Sequence, residues 1–276
     1  MTIDFSDYSV EVFIEANNTL GEGPIWWKSR NLLAWVDILE CKIFAATWDG
    51  EIVEIITMPE PVGCIFEMPD GSLLAGCQTG LRTVPTGELI ARIPDASTDI
   101  RINDGKVDPW GNLVFGTMGY PEPREGSGTL WRWDGSDFTA LLKGLTIPNG
   151  MVWRNEGSEF FFIDTPTKSI RAYRYDESAS RLGDPHAVID LSSYEGDPDG
   201  MCEGPEGQLL IAMWDGFSIL RVKSTSEILR YRVPCARPTS TLFKAEFSKF
   251  FVTTASNSTT AEKSGSVLVC NLEQTA

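Results

Sequence analysis

Gly63-Cys64-Ile65-Phe66-Glu67-Met68-Pro69-Asp70-Gly71-Ser72-Leu73-Leu74-Ala75-Gly76-Cys77 reads as one β-hairpin. A small residue opens it, two short apolar runs follow, and Pro69-Asp70-Gly71 between them is a turn sequence. The same plan recurs five more times. It appears as GPIWWKSRNLLAWVD from Gly23, GKVDPWGNLVFGT from Gly105, GMVWRNEGSEFFFID from Gly150, GMCEGPEGQLLIAM from Gly200 and STLFKAEFSKFFVTT from Ser240. Successive starts are 40, 42, 45, 50 and 40 residues apart. Between copies lie further strand pairs, such as 42–48 with 51–56 and 129–133 with 138–142. Four short strands per repeat of this length is the sequence mark of a propeller blade. The chain has no strongly periodic helical segment. It reads as all-β, a six-bladed β-propeller forming a single domain over residues 1–276.

A propeller must close its ring or leave two strand edges exposed. The run Tyr8-Ser9-Val10-Glu11-Val12-Phe13-Ile14 alternates and has no hairpin partner nearby, while the last copy supplies only three strands. The N-terminal strand is therefore expected to close the last blade.

Composition narrows the function. With 23 Lys and Arg against 39 Asp and Glu, the formal net charge is −16, which repels nucleic-acid phosphate and anionic membrane alike. No apolar run is long enough for a membrane helix. The first eight residues carry two Asp and no apolar run, so no signal peptide is expected. The 6 Cys are scattered singly, without a CxxC pair. Reduced thiols packed as small hydrophobes in a cytoplasmic protein are the expectation.

The inner strand of each blade should line a central channel. The residue before each repeat's opening Gly or Ser then stands at an equivalent place: Glu22, Val62, Asp104, Asn149, Asp199 and Thr239. Four of these side chains offer carboxylate or amide oxygen. Such a ring is either a solvated polar throat or a metal site. Crowded carboxylates repel, and a cation relieves the repulsion. Hard oxygen donors suit Ca, Mg or Mn, and admit Zn or Fe(II). The sole His, His186, falls between outer strands and reads as a surface residue, which removes a Ser-His-Asp triad and His-based zinc sites.

The segments Leu20-Gly21-Glu22-Gly23-Pro24-Ile25-Trp26, Arg101-Ile102-Asn103-Asp104-Gly105-Lys106-Val107-Asp108-Pro109, Pro148-Asn149-Gly150-Met151, Pro198-Asp199-Gly200-Met201-Cys202 and Arg237-Pro238-Thr239-Ser240 resemble the SMP-30/gluconolactonase/regucalcin-like (LRE-like) family. The likeness runs from about residue 10 to about residue 270. It implies a six-bladed propeller holding one divalent metal ion on Glu22, Asn149 and Asp199. It also implies substrate contacts from Arg101 and Asn103, with Asp199 as the acid/base residue. The implied activity is a metal-dependent lactonase opening a sugar lactone. The alternatives are a non-catalytic calcium-binding regulatory protein and a metal-dependent hydrolase of another ester. The chain departs from the family's usual Gly-Gly after the PTS motif, having Phe243-Lys244-Ala245 there. The loop 119–124 varies in the family and overhangs the channel mouth in relatives, so substrate identity does not carry over. Asp104 and Lys106 read as structural residues closing a turn. Trp26, Trp27, Trp110 and Trp153 read as core or blade-interface aromatics.

Overall fold

The computed structural model describes residues 8–178, 181–256 and 263–272. These form six four-stranded antiparallel sheets. The first strands are Gly21–Trp27, Val62–Glu67, Ile100–Val107, Pro148–Arg154, Asp197–Glu203 and Pro238–Lys244, one per blade. Each first strand contacts the first strand of the next blade, and the sixth contacts the first, so they enclose a common axis. The six-bladed propeller expected from the repeats is the fold.

Hydrophobic packing lies between blades. Each of the six junctions has its own cluster. Leu32–Asp37, the second strand of blade 1, is buried along its whole length. Its side chains alternate between two clusters: Ala34 and Val36 pack toward blade 2, Leu33 and Trp35 toward blade 6. Successive residues point to opposite faces, and both faces are covered. Up to Asp37, whose carboxylate accepts from the Thr19 and Leu20 N–H groups, the strand is therefore apolar on both faces, which is why it reads as a continuous run instead of an alternating one.

Ring closure follows the sequence expectation. Tyr8–Ile14 pairs antiparallel with Val267–Leu272, setting Val10 opposite Cys270 and Val12 opposite Leu268. It forms the outermost strand of blade 6. On the inner side of the same seam, the Lys244 ammonium of blade 6 lies 3.0 Å from the centroid of the Trp26 ring of blade 1. The Trp26 and Trp48 indole N–H groups both donate to Asn31 Oδ1, at 3.3 and 3.2 Å, which holds the two rings around that cation.

All six cysteines are free thiols, five of them buried. No helix of the described residues is long and apolar enough to cross a membrane.

Candidate functional site

In every blade the ladder between the first and second strands slips at the same phase. The shifts fall between Glu22 and Ile25, Val62 and Cys64, Ile102 and Gly105, Asn149 and Met151, Pro198 and Met201, and Pro238 and Ser240. A bulge leaves residues unpaired and re-aims their side chains. The channel positions marked by the repeats sit within or beside these bulges. In blades 2 to 5 the glycine that follows is demanded by crowding, whereas Gly23 has room but a φ of 52°. A Cβ on Gly63 would stand 2.3 Å from the Ile102 carbonyl oxygen and 2.5 Å from that of Asn103. One on Gly200 would stand 2.2 Å from Ser240 Oγ.

Glu22, Arg101, Asn103, Asn149 and Asp199 line one cavity of about 280 Å³ at one end of the channel. Each is between 4% and 8% exposed. Arg101 Nη1 donates to Asn103 Oδ1 at 2.7 Å and to the Ile102 carbonyl at 3.1 Å. Asn103 Nδ2 donates in turn to the Pro148 carbonyl at 3.0 Å and to Asn149 Oδ1 at 3.3 Å. Asn149 Nδ2 donates to Thr165 Oγ1 at 3.0 Å, and Thr165 Oγ1 donates to the Pro198 carbonyl at 2.9 Å. A continuous chain of hydrogen bonds thus crosses blades 3, 4 and 5. Glu22 Oε2 accepts from the Gly23 N–H at 2.9 Å.

The electrostatics are those of acids crowded out of water. Burial, then the charge of Asp104, raises Glu22 to about 8, against the pull of the Gly23 N–H and Arg101. Burial, then Glu22 and Asp104, pushes Asp199 well above the ordinary carboxylate range. Burial draws the Arg101 guanidinium down to about 10, while Glu22, Tyr120 and Asp199 hold it up.

Residues 20–256 match the SMP-30/Gluconolactonase/LRE-like region. The chain belongs to the SMP-30/gluconolactonase/LRE-like family. Regucalcin from Gallus gallus is 31% identical over 255 residues, covering 86% of this chain and 84% of its own. A 6-deoxy-6-sulfogluconolactonase from Pseudomonas putida is 26% identical over 266 residues, covering 92% and 90%. The solved structure of a calcium-binding protein, regucalcin, from Agrobacterium tumefaciens superposes with a TM-score of 0.85 at 25% identity, covering 95% of this chain and 93% of that one. This member of the SMP-30/gluconolactonase/LRE-like family therefore shares its length and fold with proteins carrying both kinds of name.

The donor set fits a divalent cation. Two hard carboxylates, Glu22 and Asp199, and the Asn149 amide meet in one buried place, and both acids are raised by burial, Glu22 further by Asp104 and Asp199 by Glu22 and Asp104. Among the described residues, no group of three or more His, Cys, Asp and Glu side chains is arranged to hold a metal ion, so Asn149 would be the necessary third donor.

Of the six ring positions, Val62, Asp104 and Thr239 do not line the cavity. Asp104 Oδ1 accepts from the Gly105 N–H at 2.7 Å, as expected of a turn residue, but its Oδ2 is buried without a partner and its charge reaches Glu22 and Asp199. Lys106 donates to the Met201 carbonyl of blade 5, so it ties blades together as well as following the turn. Thr239 Oγ1 donates to the Gly21 carbonyl, tying blade 6 to blade 1. His186 pairs with Glu159 at 3.0 Å, away from the cavity. Trp27 donates to the Gly71 carbonyl of blade 2 at 2.9 Å and the exposed Trp110 stacks on Tyr175 of blade 4, both at blade interfaces, while Trp153 stacks on Phe160 within its own blade.

Sequence reasoning missed Thr165, Met118 and Trp214, all of which line the cavity. They share a signal. Each stands at the far end of the second strand of its blade, the strand adjoining a first strand that carries a site residue: Met118 is next to last in Leu113–Gly119, Trp214 is last in Leu209–Trp214, and Thr165 directly follows Glu159–Asp164. Pro123 of the loop 119–124 also lines the cavity, in keeping with the expected overhang.

Proposed function

We propose that this chain is a metal-dependent carboxylic-ester hydrolase that opens a sugar lactone, an aldonolactone, to the sugar acid in the cytoplasm. The observation that carries the reading is the meeting of Glu22, Asn149 and Asp199 with Arg101 and Asn103 in one small, buried cavity. Glu22, Asn149 and Asp199 would hold the divalent ion, which would supply Lewis-acid polarisation of the lactone carbonyl. Asp199 takes the proton of the attacking water and returns it to the ring oxygen as the ring C–O bond breaks. Burial and the neighbouring charges of Glu22 and Asp104 make this carboxylate a stronger base than an exposed one.

Arg101 spends its two Nη1 donors on protein oxygens, and among the described residues its Nε and Nη2 make no hydrogen bond. Those groups can bind the substrate's oxygens or the developing carboxylate. Asn103 holds the guanidinium and Asn149 in register, and keeps acceptor capacity for a substrate hydroxyl.

The test is acid release from a panel of sugar lactones, with spontaneous hydrolysis subtracted, in the presence of added divalent metal and after chelation. Turnover that chelation removes and metal restores is the expected result. The second reading, a non-catalytic calcium-binding protein, is favoured by the name regucalcin among the relatives. Calcium binding by calorimetry with no turnover of any lactone or other ester would establish it instead.

A further inference from the structure

The cavity above the candidate ligands has two chemically distinct parts. Its buried polar groups are Glu22, Arg101, Asn103, Asn149 and Asp199, set on the inner strands. The rest of the lining comes from strand ends and loops, and six of its residues are apolar: Leu20, Ile38, Met118, Pro123, Ile147 and Trp214. The remaining polar side chains of the lining are already partnered. Thr165 Oγ1 is engaged with the Pro198 carbonyl and the Asn149 amide, and Asp197 is paired with Lys168 at 3.0 Å. Arg237 covers one face of the Trp214 ring at 4.7 Å.

A fully hydroxylated lactone would bring polar groups to both parts. Near the inner strands its carbonyl and adjacent hydroxyls find Arg101, Asn103 and the acids. At the apolar wall a hydroxyl loses water and gains little in return, whereas a methyl group gains by burial. A volume of about 280 Å³ lies just below the range typical of drug-sized ligands, which calls for a small molecule.

We infer that the cavity is built for a small lactone whose polar substituents lie on the carbonyl side and whose far end is a methyl or methylene group, as in a terminally deoxygenated aldonolactone. This rests on the lactonase reading above. In the reaction, the water oxygen bonds to the carbonyl carbon, the ring C–O bond breaks, and the ring oxygen takes a proton. The hydroxy acid formed gives up one proton at neutral pH.

The experiment compares a hexonolactone with its 6-deoxy counterpart of the same stereochemistry, using metal-loaded protein. The expected result is a kcat/KM at least about tenfold higher for the deoxy compound, the scale of one methyl-sized change in an apolar pocket. Ile147→Thr, read against Ile147→Val, which has the same shape without the hydroxyl, is expected to shrink that ratio. Turnover of both lactones with equal or higher kcat/KM for the hydroxylated one would overturn the inference and leave the lactonase reading standing. The matching lactams, with ring N–H in place of ring oxygen, supply a readout independent of turnover. If neither lactone is hydrolysed but calorimetry shows tighter binding of the deoxy lactam, the lactonase reading falls and the ligand inference stands. Lactams bound equally, with no turnover, would overturn both.

Discussion

Glu22→Gln is expected to stabilise the metal-free protein and to weaken its hold on metal. With chelator present, the folded Glu22 carboxyl titrates at about 8, whereas the ordinary value is 4.5. Between those values the folded chain keeps a proton that the unfolded chain has released, so stability falls as pH rises through the window. Taking 4.5 for the unfolded chain, the shift at pH 7 corresponds to about 3 kcal/mol of stability lost relative to a neutral side chain. Gln keeps the shape and an oxygen for the Gly23 N–H, and it removes one of the charges that raise Asp199. For a chain of 276 residues, about 3 kcal/mol moves the melting temperature by roughly 5 °C. Differential scanning calorimetry from pH 4.5 to 8 in chelator should show the two proteins converging at the acid end and the Gln variant melting higher at pH 7. Added divalent metal should reverse the order, because an ion that binds only the folded state adds stability by mass action and Gln supplies a weaker ligand. A metal-free Gln variant that melts below the parent at pH 7, or a parent whose melting does not change between pH 5 and 8, would refute the reasoning.

Three further outcomes are expected. Asp199→Asn keeps an oxygen ligand but cannot accept a proton near neutrality, so kcat in steady-state lactone hydrolysis should fall roughly 10²–10⁴-fold with metal in excess. Near-parental kcat in the metal-loaded variant would remove Asp199 from proton transfer. Arg101→Ala should leave metal affinity by calorimetry nearly unchanged and raise KM more than it lowers kcat; loss of the metal would make Arg101 a support of the donor set. Gly63→Ala should cost about 1–3 kcal/mol or more in denaturant unfolding, because its Cβ would press on the Ile102 and Asn103 carbonyls 2.3 and 2.5 Å away; an unchanged midpoint would show that the strand crossing can relax.

The fold was legible because blades repeat. A period of 40 to 50 residues marked by Gly23, Gly63, Gly105, Gly150, Gly200 and Ser240 fixes strand count and phase without any knowledge of contacts. Phase also located Glu22, Asn149 and Asp199 as equivalent positions, and the family motifs added Arg101 and Asn103. Phase could not separate those that line the cavity from Asp104, whose carboxylate folds onto the Gly105 N–H. The bulges escaped notice because a register slip leaves no mark in composition. Trp214 and Thr165 escaped because they stand at the ends of second strands, a phase at which the six repeats share no residue type to mark it. The pairing of Lys244 with Trp26 is longer-ranged still, joining the two ends of the ring.

The pairing of Tyr8–Ile14 with Val267–Leu272 also sets an order of events during synthesis. Of the propeller's strands, Tyr8–Ile14 is synthesised before all others and its partner Val267–Leu272 after all others. Blades 1 to 5 each contain all four of their strands in sequence and can pair them as they emerge. The N-terminal strand cannot, and until Val267–Leu272 appears it is an alternating, half-apolar segment without a sheet edge of its own. A nascent chain stalled before that point therefore presents an open ring and a free strand to its neighbours, the arrangement from which one chain can complete another's blade.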